Sequence, residues 1–137
     1  MKNSGAIVTL IFFHILGLSR TTLACDQKAA DSGKASDLIE CAMEPYDDAD
    51  LELNQYYKRI SDSLKSEKKD KQLISLRAEQ RSWIKKKEKA CKMYFDEAES
   101  GREGPIQGYG CYLEKTEKRL AELKKKFTSL TAAAGAK

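Results

Sequence analysis

Three runs of mainly apolar residues at steps of three, four and seven constrain this chain more than any other feature, because that rhythm puts each run on one face of a helix. The central run is Leu73, Leu76, Gln80, Trp83 and Ala90, with Ile84 and Cys91 beside it. Arg77, Lys85, Lys86, Lys89 and Lys92 occupy the opposite face, and Glu88 with Lys92 makes a favourable i,i+4 pair. The spacing predicts a helix from about residue 70 to 98. Trp83, the sole Trp, is its expected core anchor, and truncation to Ala there should cost roughly 3–5 kcal/mol.

The flanking runs repeat the pattern. Tyr46, Ala49, Leu53, Tyr56 or Tyr57, Ile60 and Leu64 mark a helix before it, and Tyr109, Leu113, Thr116, Leu120, Leu123, Phe127 and Leu130 mark one after it. Residues 65–71 carry no apolar side chain and predict the first turn. Gly101, Gly104, Pro105, Gly108 and Gly110 predict a loop over 99–110. Upstream, Ser36 or Asp37 caps a short helix, with Glu40 completing a capping box with Asp37; Pro45 then either opens the next helix or kinks a continuous one. The expected fold is all-α, an antiparallel three-helix bundle with a short N-terminal helix.

Residues 1–24 have the form of a secretory signal peptide: Lys2, an apolar run from Ala6 to Leu18, and a small-residue end at Thr22-Leu23-Ala24. The run is too short for a membrane span, which needs about 20 residues. A lipoprotein signal is the alternative, since Cys25 would be the first mature residue, but Leu23 sits one place too near it. Cleavage after Ala24 takes 24 of the 137 residues and leaves 113, the size of one domain. Losing Lys2 and Arg20 from the 25 basic residues leaves 23 against 21 acidic ones, a balance that gives no argument for nucleic acid.

Cys25, Cys41, Cys91 and Cys111 all lie in the exported part, and an even count there predicts two disulfides. Antiparallel packing brings positions 41, 91 and 111 to one end of the bundle, so the bridges staple that end. Pairing of sequence neighbours is preferred, and a crossed pairing stays open. A zinc site is disfavoured, because no Cys-x-x-Cys pair is present and an oxidising compartment favours the bond. The only His, His14, leaves with the signal, which removes the imidazole that triads, Cys-His dyads and common metal sites use. No catalytic residue, metal or cofactor is expected.

The pattern Cys41-Ala42, Tyr46, Ala49-Asp50, Leu53-Asn54, Tyr57-Lys58 resembles the opening of the LprI-type lysozyme-inhibitor domain. Gln80-Arg81-Ser82-Trp83-Ile84 with Lys87-Glu88 and Cys91 is similar to that family's central signature, and Gly108, Cys111, Thr116, Arg119 and Leu123 to its closing helix. Pro45, Glu79 and Lys87 depart from the usual pattern. The resemblance implies a helical domain over 25–131, and the Ala-Gly run after Thr131 predicts a disordered tail at 132–137. The resemblance further implies an exported, periplasmic or secreted, non-enzymatic protein that binds a lysozyme or related peptidoglycan hydrolase. The alternative is a structural or adaptor domain of the bacterial envelope.

Three sets of residues carry that expectation. Asn54, Gln80, Arg81, Thr116 and Arg119 match the family motif, and read either as a binding site or as a polar layer that fixes helix register. The acidic block Glu40, Glu44, Asp47, Asp48, Asp50 and Glu52 would speed encounter with a cationic enzyme, or is a solvated helix face. Arg102 in the glycine-rich loop would set a cation beside a hydrolase's two catalytic carboxylates, or belongs to a plain helix connection.

Overall fold

The computed structural model describes Cys25, residues 33–96 and residues 100–128. The expected signal peptide, most of the polar leader after Cys25, the last apolar position of the third stripe and the tail lie outside the described residues. Three long helices follow one another: α1 (Ala35–Ser66), α2 (Asp70–Cys91) and α3 (Gly104–Lys126), with short 3-10 turns at Lys92–Phe95 and Gly101–Glu103 between the last two. None of the described helices is long and apolar enough to cross a membrane.

The segment expected as a separate short helix is instead the opening of α1, which continues through Pro45. Pro45 lies on the exposed side, so its ring meets solvent, and only one helical N–H is forgone. The capping box does not form. The cap position is Lys34, and the Ser36 hydroxyl donates to Asp37 Oδ1 (3.1 Å) rather than taking a backbone N–H.

α1 ends in a Schellman motif built without glycine. Lys69 N–H donates to the Leu64 carbonyl (2.8 Å) and Lys68 N–H to that of Lys65 (3.1 Å), with Lys68 at φ 55°. The left-handed residue reverses the chain in a very short space, so α2 runs antiparallel to α1.

Cross-helix pairs define the remaining directions. Gln80 meets Arg119 and Cys91 bonds Cys111, so α3 is antiparallel to α2; Tyr46 meets Tyr112 and Glu52 meets Lys124, so α3 is parallel to α1. Leu53, Ile60, Leu64, Leu76 and Leu123 are fully buried between the helices, with Tyr56, Leu73, Leu120 and Phe127 around them. Two expectations change here. The core is mainly aliphatic, with Tyr56 and Phe127 as its buried rings, and Trp83 is half-buried at its edge; and α2 stops at Cys91, where the 3-10 turn takes over.

A further correction is the glycine-rich segment. Gly104, Gly108 and Gly110 are helical, with Pro105 in the first turn of α3, where its missing N–H has no helical partner to lose. A Cβ on Gly108 would lie 2.5 Å from Phe95 ring carbons, and one on Gly104 would collide with Ser100 and the Tyr94 carbonyl. These glycines serve close approach of the 3-10 turn to α3, and the loop shrinks accordingly.

Candidate binding site at the disulfide pole

The start of α1, the end of α2 and the start of α3 meet at one pole, where Cys25 bonds Cys41 and Cys91 bonds Cys111. The pairing is thus that of sequence neighbours. Cys91 is fully buried, and its bridge fixes the end of α2 to α3. The Cys25 N–H donates to Glu44 Oε2 (3.0 Å), so Cys25 is held to the acidic side of α1 by its backbone as well as by its bridge.

Aromatic rings replace aliphatic packing at this level. Tyr46 lies 6.0 Å from Tyr109 and 5.4 Å from Tyr112; Phe95 stacks on Tyr112 at 5.2 Å and meets Tyr109 edge-on at 5.5 Å. In their midst sits Lys87, only 8% exposed. Its Nζ donates to the Tyr46 hydroxyl (3.1 Å) and lies 4.9 Å from the Trp83 ring, 5.1 Å from Tyr46 and 5.3 Å from Tyr112. Asp50 Oδ1, 3.7 Å away, supplies the opposite charge. Burial raises the Tyr112 phenol above its ordinary range, against the nearby Lys87 cation, which lowers it.

Lys87 is the residue that sequence reasoning missed as part of the buried stripe. Its signal was present: the buried positions of α2 run Leu73, Leu76, Gln80, Lys87, Cys91, and position 87 follows Trp83 by four. A lysine in that slot reads as solvated unless aromatic partners on the other two helices are known.

At the rim, Arg102 projects from the 3-10 turn opened by Gly101 (φ 66°) and is exposed. With Ala35, Tyr94, Phe95 and Pro105 it lines a cleft of about 320 Å³. The Ser100 hydroxyl hydrogen-bonds with the Tyr94 and Asp96 carbonyls (both 2.8 Å), which fixes the backbone leading into the turn. Phe95 is partly exposed in that cleft, Met93 is exposed on the same Lys92–Phe95 turn, and Leu38 lines an adjoining cleft that Arg102 shares.

The acidic block divides. Glu40, Asp47 and Asp48 are exposed on α1; Glu44 holds the Cys25 amide, Asp50 turns toward Lys87 and accepts from Asn54 (2.8 Å), and Glu52 pairs with Lys124 (2.6 Å). The polar layer is not brought together as five residues. Gln80 Oε1 accepts from Arg119 Nε (3.1 Å, buried), but Asn54 and Arg81 are exposed, and Thr116 is buried with its hydroxyl unpartnered among the described residues.

Fold and pole together define a small, disulfide-stapled, all-α domain with an exposed cation and apolar side chains at its clamped end. Comparison with known families identifies it further: the family model "Lysozyme inhibitor LprI" matches residues 25–123, and the chain belongs to that family. It is also 34% identical over 97 residues, 64% of this chain and 70% of the relative, to an uncharacterised protein of Rhizobium meliloti strain 1021. No solved structure matches the chain. Family and disulfides together point to an extracytoplasmic location.

Proposed function

We propose that this chain is an exported, non-enzymatic inhibitor of a lysozyme or related peptidoglycan hydrolase, and that it binds its target through the disulfide pole. The observation that carries the reading is the family match over most of the chain. The chemistry of the pole supports it. Arg102, on a short turn anchored by Ser100, is a cation able to enter a cleft and sit beside the paired carboxylates that glycoside hydrolysis uses. Tyr94, Phe95 and Leu38 supply apolar contact around it. The exposed acids Glu40, Asp47 and Asp48 favour encounter with a cationic enzyme.

The test uses the oxidised chain from Cys25 onward against hen-type and other lysozymes in a cell-wall turbidity assay. Protection at stoichiometric ratio is expected, with Arg102→Glu losing it by at least about tenfold in potency. Absence of protection against every enzyme at excess would overturn the reading and leave an adaptor role in the envelope. Undiminished potency of Arg102→Glu would remove the arginine from the mechanism.

A further inference from the structure

The turn that joins α1 to α2, at the opposite end from the disulfides, gathers cations. Lys65, Lys68, Lys71, Arg77 and Arg81 are exposed there, and none of them forms an ion pair among the described residues. The neighbouring acids are mostly spent. Glu67 pairs with Lys69 (2.6 Å), Asp62 with Lys58 (2.6 Å) and Glu79 with Lys126 (2.8 Å), which leaves Asp70 alone against the five. The exposed acids Glu40, Asp47 and Asp48 stand near the other end of α1, so a negative surface attracts the turn more than the disulfide pole.

Ile74 sits amid these cations. Lys71, Ile74, Arg77 and Arg81 share one side of α2 by steps of three and four, and Ile74 is 65% exposed, more than any other large apolar side chain described. Lys87 lies against Tyr46 and Asp50, so stepping back along the antiparallel pair sets Lys71 level with the last turn of α1, where Lys65 stands. Lys68 is an independent observation. It closes α1 in the left-handed region, at φ 55°, where a glycine would escape the Cβ penalty; the fold therefore carries an ammonium at the tip of the turn at a cost in stability. With Lys69, Asp70, Lys71 and Gln72 it lines an open cleft.

The cations select a negative partner, and the apolar centre selects which one. A soluble phosphate or a solvated polyanion gains nothing from Ile74. The boundary between lipid headgroups and acyl chains takes an apolar side chain just below the phosphates that its basic neighbours contact.

We propose that the α1–α2 turn docks on an anionic phospholipid surface, with Lys65, Lys68, Lys71, Arg77 and Arg81 on headgroup phosphates and Ile74 inserted among them. Docked so, the chain points its disulfide pole away from the bilayer. The proposal does not rest on the inhibitor reading.

The oxidised protein is sedimented with phosphatidylcholine vesicles made with and without phosphatidylglycerol. Cosedimentation with the anionic vesicles alone is expected, and added salt should release it. Arg77→Glu combined with Arg81→Glu should weaken binding by at least about tenfold, and Ile74→Ser by about threefold or more, with circular dichroism unchanged. Lys68→Gly should move two readouts in opposite directions, raising the urea midpoint while weakening vesicle binding; a purely structural residue would move only the first. Arg102→Glu, at the other pole, should bind as wild type. Overturning results are equal binding to neutral vesicles, wild-type binding by any of the three turn variants, or binding to soluble polyphosphate as tight as to the anionic vesicles.

Discussion

The two halves of this bundle are held together by different physics. In the half beyond Leu53, toward the Lys68 turn, Ile60, Leu64, Leu76 and Leu123 lose essentially all contact with water, and apolar burial is the main source of cohesion. In the half nearer the cysteines no large aliphatic side chain among the described residues is fully buried; two disulfides, a cluster of tyrosines and a buried lysine take its place. The difference has a functional consequence. A pole that does not depend on sealing its apolar groups from water can leave Met93, Phe95 and Leu38 exposed and still keep its shape, which is what a surface for a partner requires.

The largest expected effect breaks the aliphatic half. Leu123→Ala removes a fully buried side chain where all three helices meet and should cost about 2–5 kcal/mol in urea unfolding, destabilising both halves together. Next comes the pole. Replacing Cys91 and Cys111 by Ser opens a link of sequence separation 20, and should cost about 3 kcal/mol in the chain-entropy picture. If the halves differ as argued, hydrogen exchange in this variant rises first around Lys92–Phe95 and the start of α3, while amides near Leu64 and Leu123 stay protected. Uniform loss of protection would show that the pole and the aliphatic half are one cooperative unit.

A subtler probe concerns Lys87. Lys87→Met keeps the length of the side chain and deletes the cation; since its Nζ lies over three rings and bonds the Tyr46 hydroxyl, a loss of about 1–2 kcal/mol is expected. Asp50, about a third exposed, is solvated by water once alone and adds little. An unchanged or more stable variant would mean that the cage works as apolar packing, and that the two halves are more alike than their composition suggests. A cycle with Tyr46→Phe separates the hydrogen bond from the ring contacts.

The same contrast explains what was legible in the chain. Stripes of Leu, Ile and Tyr at helical spacing announce α1 and α3 correctly, because aliphatic burial follows periodicity alone; the bridges at one end follow from helix direction. What failed did so at the pole, where contacts depend on pairs remote in sequence. Gly104 and Gly108 look like loop residues until Ser100 and Phe95 are seen lying against them. Lys87 looks solvated until Tyr46 and Tyr112 arrive from the other helices, and Trp83 looks central because size suggests burial while neighbours decide it. Of the candidate site residues, Arg102 keeps its exposed place, Asp50 is drawn toward Lys87, and only Gln80 with Arg119 survives of the polar layer.

The smallest expected effect tests whether the aliphatic half needs surface charge at all. Glu79 links α2 to α3 by accepting from Lys126 at 2.8 and 3.0 Å. That hydrogen bond, against partial burial and helped by the Ser75 hydroxyl and by the charges of Lys126 and Arg119, holds its carboxyl below the ordinary value of 4.5. A carboxyl depressed in the fold adds stability above its unfolded value and loses it as pH falls through the lower folded one. Urea midpoints for the wild type should therefore decline on acidification below about pH 4.5 more than those of Glu79→Gln, with the two converging at the acid end. Because Glu79 is about a third exposed, the difference at neutral pH should stay below about 1 kcal/mol and shrink in salt. A larger, salt-insensitive difference would place this pair on the same footing as the buried Lys87 cluster, and the division between a greasy half and a polar one would have to be redrawn through Arg119.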